Sequence, residues 1–159
     1  MQHEPLDLWA WLSRPWGTRK RAHDILERRD AARQRHTIET DLDRREPTYK
    51  ACMNTIAAFY DAHGDDAVRL FAEGQVDGAD RGIDEVDQCR SVVKDYFRTA
   101  RSLVVDHECV SDPGRLVRLR REHAQFARHV EPLDNTQDRK PSEGAVFKSF
   151  LHDARPCAS

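Results

Sequence analysis

No apolar run in the chain approaches the roughly 18 residues that a membrane span requires, and the N-terminus has no long apolar stretch of the secretory kind. The expectation is a protein not integral to a membrane. Cysteine is sparse, at four residues (Cys52, Cys89, Cys109 and Cys157), and no two of them form a CxxC pair. Two fall on apolar helical faces, where a reduced thiol behaves as a small hydrophobe. An intracellular, reducing compartment is therefore expected, cytoplasmic by default. Glycine is equally thin, at seven residues. Its one dense stretch, GQVDGADRG over 74–82, has neither the GxGxxG nor the GK[ST] spacing, so a dinucleotide fingerprint and a P-loop are both excluded. A strong excess of one charge is missing too, with 26 Lys and Arg against 28 Asp and Glu. That balance argues against a surface that is a nucleic-acid footprint throughout.

Catalytic signatures are missing as well. There is no GxSxG, no HExxH and no recognisable Cys–His arrangement. Eight histidines invite a metal search, and His23 with Glu27, His36 with Glu39, and Glu122, His123 and His129 lie at helical offsets. Yet no Glu-x-x-His occurs, and a di-iron bundle needs two. The reading is a protein with no catalytic residue, no metal site, no cofactor and no small-molecule substrate. No repeat and no β alternation is evident.

What is present is helical periodicity. Val86, Cys89, Val93, Tyr96, Ala100 and Leu103 recur at steps of three and four, with Val92, Phe97 and Val104 widening the stripe, which is one face of a helix over 83–107. A second stripe, Tyr49, Cys52, Met53, Ile56, Phe59 and Tyr60, follows Pro47, which is expected to end a charged helix over Thr18–Glu46 and start the next. Val68, Leu70 and Phe71 predict a short helix stopped by Gly74. Asp112 with Pro113 predicts the start of a further helix carrying Leu116, Leu119, His123, Phe126 and Val130 as far as Pro132. Ser142 and Val146, Phe147, Phe150 and Leu151 mark a last one. The fold class expected is all-α, a single bundle-like domain of five to six helices over 18–155, with an appended segment 1–17 and a frayed tail 156–159.

Segment 1–17 holds all three tryptophans. Trp9, Trp11, Leu12 and Trp16, followed by Arg19, Lys20 and Arg21, read either as a plug for the domain's own core or as a docking element, because tryptophan and adjacent cations suit partner surfaces and anionic lipid. Charge is also uneven further on. Acids dominate 61–87, whereas the helix after Pro113 carries Arg115, Arg118, Arg121 and Arg128, with Arg120 beside them, against Glu122. Those arginines either pair with the acidic stretch or meet an anion or acidic partner from outside.

Ile56-Ala57-Ala58-Phe59-Tyr60, Gly74-Gln75-Val76-Asp77, Val93 to Phe97 with Ala100 and Leu103, and Val130-Glu131-Pro132-Leu133 together resemble a family of small all-helical domains of unknown function. The resemblance implies an all-helical fold and carries over no catalytic residue. Many members of that family have a membrane segment before the helical domain; here the tryptophan-rich stretch stands in that place. The expected function is a non-catalytic protein–protein interaction or accessory subunit. The alternative is a peripheral binder of anionic surfaces, lipid or nucleic acid, through the basic helix and the N-terminal basic run.

Overall fold

The computed structural model describes residues 16–77, 81–107, 109–136 and 151–157, and the protein is all-α. Helix α1 runs over Trp16–His63, α2 over Ala67–Asp77, α3 over Arg81–His107, α4 over Pro113–His129 and α5 over Glu131–Asp134. Residues 151–153 are also helical. The chain divides into two units, Met1–His36 and Thr37–Ser159.

In the first unit the described residues are one stretch of α1. Ile25 and Leu26 are 63% and 60% exposed, His23 stands 3.5 Å from Glu27, and Arg33 stands 3.8 Å from Asp30. No residue in 20–36 is buried, as its charge density leads one to expect.

In the second unit α1 continues through Pro47. The expected break does not occur, although proline offers no N–H to the carbonyl four residues back. The reason is tertiary: Leu42 and Tyr49, on either side of Pro47, are both sealed in the core, so the helix is held by packing where it lacks a hydrogen bond. Gly64, at φ +57°, takes the left-handed conformation that ends α1. A single 3₁₀ turn, Gly64–Asp66, then leads into α2. Gly74 does not stop α2 as expected. It lies inside the helix, where a Cβ would stand 2.6 Å from Ile83 Cγ1, so the glycine marks the close approach of α2 to α3.

Helix α3 matches its expected span, and its stripe is the middle of the core: Val86, Val93, Tyr96, Phe97, Ala100 and Leu103 are buried. Against it lie Tyr49 and Ile56 from α1, Phe71 from α2, Leu119 and Phe126 from α4, and Leu133 from α5. Phe97 is the aromatic hub, with ring contacts to Tyr49, Tyr96, His123 and Phe126. Asp112 caps α4 as the sequence predicts, accepting a hydrogen bond from the Gly114 N–H at 2.8 Å with Pro113 at the first turn.

One departure from helix is found among the described residues. β1, Cys109–Val110, pairs in parallel with β2, Arg155–Pro156. The Cys157 N–H donates to the Val110 carbonyl at 3.0 Å, and Leu151 and Ala154 are buried. Residues 156 and 157, expected to fray, are thus tied to the domain. Cys52 and Cys89 are free and buried, as expected of reduced thiols, but Cys157 is disulfide-bonded. No described helix is long and apolar enough to cross a membrane.

Candidate functional site

Helix α4 packs through Leu116, Leu119, His123 and Phe126. Its outward face follows from the helical period: Val117, Arg118, Arg121, Gln125 and Arg128 recur at steps of one to four and are all exposed. Val117 is 65% exposed, an uncovered apolar side chain within a basic stripe. Arg118 reaches Asp112 only at 3.8 Å, with its side chain 45% exposed. The single acid of α4, Glu122, faces inward and is 8% exposed. The outer face of α4 therefore holds cations and no carboxylate of its own.

The four arginines expected to act together divide into two kinds. Arg118, Arg121 and Arg128 share the solvent face. Arg115 does not: its side chain is 11% exposed and ion-paired to Asp43 of α1, so it serves the packing of α4 on α1. Three of the acids of 61–87 answer local cations. Asp66 and Glu73 flank Arg69 at 3.3 and 3.1 Å, and Asp87 holds Arg90 at 2.6 Å. Arg90 also pairs with Asp134 and lies over the Phe71 ring, 5.7 Å from its centroid.

Of the N-terminal candidates, Trp9, Trp11 and Leu12 lie outside the described residues. Trp16 and Arg19 have a described helical backbone only. Lys20 and Arg21 are exposed on α1.

Spacing did not reveal a polar cluster beneath α4. The rings of Tyr49 and Tyr96 stack 4.0 Å apart at 10°. Burial raises both phenol pKa values, and the Glu122 charge raises them further. Glu122 is itself raised, first by desolvation and then by Glu46, while Lys50, Arg121 and Arg118 oppose the shift. The Tyr49 hydroxyl is buried with no hydrogen-bond partner among the described residues. A cleft of about 360 Å³ opens beside these rings, lined by Arg44, Arg45, Thr48, Tyr49, Val92, Asp95 and Tyr96. Glu122 does not line it, so this perturbed carboxyl does not face the space a substrate would need.

No family model, curated protein or solved structure matches this chain.

The resemblance to small helical domains thus rests on the residues quoted for it. Of the histidine groupings, only His23, with Asp24 and Glu27, brings three ligand atoms within 4.8 Å of one another among the described residues. These groups lie on one solvated turn, and His23 and Glu27 side chains are 70% and 67% exposed. Nothing there desolvates a cation or fixes a geometry. His129 is pushed below the usual histidine range, first by burial and then by Arg128. Arg120, one of the arginines of the basic helix, donates to the carbonyls of Leu151, His152 and Ala154 at 2.7, 3.3 and 2.8 Å. No spacing signals that role, because its acceptors are backbone atoms about thirty residues away.

Proposed function

We propose that the protein is a non-catalytic interaction module that engages an acidic segment of a partner protein through the outer face of α4. The observation that carries this is the alignment of exposed Arg118, Arg121 and Arg128 on one face, with the helix's only carboxylate buried beneath it. Guanidinium groups suit carboxylates because their forked donors match two oxygens at once. Exposed Val117 beside them supplies an apolar contact of the kind found in protein interfaces. The formal net charge of −2 gives little long-range attraction to a polyanion such as duplex nucleic acid, whereas a short acidic segment needs only the local face. In this reading Trp9, Trp11, Leu12 and Trp16, with Arg19, Lys20 and Arg21, form a second contact for the same partner.

Binding of a fluorescein-labelled oligoglutamate peptide, a DNA duplex and phosphatidylserine vesicles to the full chain tests the proposal. The peptide is expected to bind best, with salt-sensitive affinity reduced at least about tenfold by R118E/R121E/R128E. Peptide binding that ignores the triple reversal would overturn it. Preference for vesicles or duplex, falling steeply with salt, would favour the peripheral binder of anionic surfaces, for which exposed Lys20 and Arg21 speak.

A further inference from the structure

Residues 151–157 lie against α4 on the flank of the arginine face, and three features of that segment bear on how it is held. First, its polar attachment among the described residues is narrow. β1 and β2 are two residues each, the Cys157 N–H adds one bond to the Val110 carbonyl, and a single side chain, Arg120, takes the carbonyls of Leu151, His152 and Ala154. Second, its seam with α4 is not filled: Arg120, His123, Ala124, Leu151 and His152 border a cleft of about 210 Å³. Third, the segment ends in a covalent lock, because Cys157 is disulfide-bonded while the core thiols Cys52 and Cys89 are free. A disulfide restricts the chain chiefly by removing its alternative conformations, so cutting it returns that freedom to a segment whose other ties among the described residues are these hydrogen bonds and the burial of Leu151 and Ala154.

We infer that residues 151–157 are a redox-released strap, and that reduction of the Cys157 disulfide adds Arg120 to the arginine face of α4. The inference rests on the reading of that face as an acidic-partner surface. Arg120, itself exposed, lies three residues from Val117 and four from Ala124, so it adjoins the face, and the strap's carbonyls engage its guanidinium. When the strap leaves, those carbonyls turn to water and the guanidinium is free for carboxylates. The reductant is an external dithiol. One of its thiolates attacks the disulfide to form a mixed disulfide, and its second thiolate displaces the remaining protein sulfur. The dithiol ends as a disulfide, and the two protein sulfurs leave as thiolates that each take a proton. Leu151 and Ala154, buried when the strap is seated, favour its return on reoxidation.

The full chain, oxidised or reduced with dithiothreitol and capped with iodoacetamide, is compared by hydrogen exchange, far-UV circular dichroism and oligoglutamate binding. Exchange at residues 152–155 and 157 is expected to quicken at least about tenfold on reduction, with helicity and protection in α3 unchanged. Oligoglutamate affinity is expected to rise about threefold, a gain absent in Arg120→Gln. Cys157→Ser should behave as the reduced protein without reductant. Unchanged exchange in the strap overturns the inference, and so does a general loss of helicity, which would make the disulfide a staple of the whole domain. Quickened exchange with unaltered oligoglutamate affinity overturns the link to the face. If neither form binds the peptide while the strap is released, the acidic-partner reading fails and strap release stands.

Discussion

Glu122 shows how one side chain is set by its surroundings. Burial and the neighbouring Glu46 raise its pKa above the ordinary 4.5, so the protonated form is favoured in the folded state. The stability tied to that proton is fully present below 4.5 and is lost as the pH rises through the raised value. His129 acts in the opposite sense. Its pKa lies below 6.5, so its contribution is present above 6.5 and is lost as the pH falls through the lowered value. Glu122→Gln removes only the first effect. Its melting temperature should exceed that of the wild type at pH 7, and the difference should shrink as the pH approaches 4.5, as read from thermal melts across that range. An equal difference at every pH would mean that Glu122 does not change its protonation there. The Tyr49 hydroxyl lends itself to a second test. It is buried and lacks a partner among the described residues, and such groups cost about 1–3 kcal/mol. Tyr49→Phe should therefore raise stability toward that amount, whereas a clear loss in a urea titration would mean that the hydroxyl is satisfied. Phe97→Ala should cost about 3–5 kcal/mol by the same titration, because four rings lose their common neighbour.

At the level of elements, α3 and α4 were legible because their signals are local. The α3 stripe needs only its own period, and the α4 start needs only Asp112 and Pro113. Pro47 and Gly74 carry local break signals that packing elsewhere in the chain overrides. Leu42 and Tyr49 carry α1 past Pro47, and Ile83 of α3 explains Gly74. Each yields a test. Pro47→Ala restores a backbone donor in a helix interior, where proline is about 3 kcal/mol worse than alanine, and should stabilise the protein. A destabilised variant would show that α1 relies on the proline's geometry. Gly74→Ala gains helix propensity but drives a methyl into the branched side chain of Ile83. A net loss of about 1–2 kcal/mol is expected, and a Gly74→Ala, Ile83→Val pair should recover part of it.

For the molecule as a whole, the helical class and most of the core were readable, since both follow from periodic burial. The distribution of charge was only half readable. Spacing identified the basic helix but could not separate Arg115, engaged by Asp43 across 72 positions, from Arg118, Arg121 and Arg128, which face solvent. The attachment of residues 155–157 was invisible for a similar reason, since a two-residue pairing with 109–110 leaves no pattern along the chain. Among the described residues, the outward face of α4 gathers three exposed arginines with no carboxylate of the helix beside them. A charge swap examines that face most directly. The full-length protein and its R118E/R121E/R128E variant would each be titrated with labelled oligoglutamate and with labelled oligolysine, with helicity checked by circular dichroism. The wild type should take the acidic peptide and the variant the basic one. A folded variant that still prefers oligoglutamate would contradict the assignment of α4 as the partner surface.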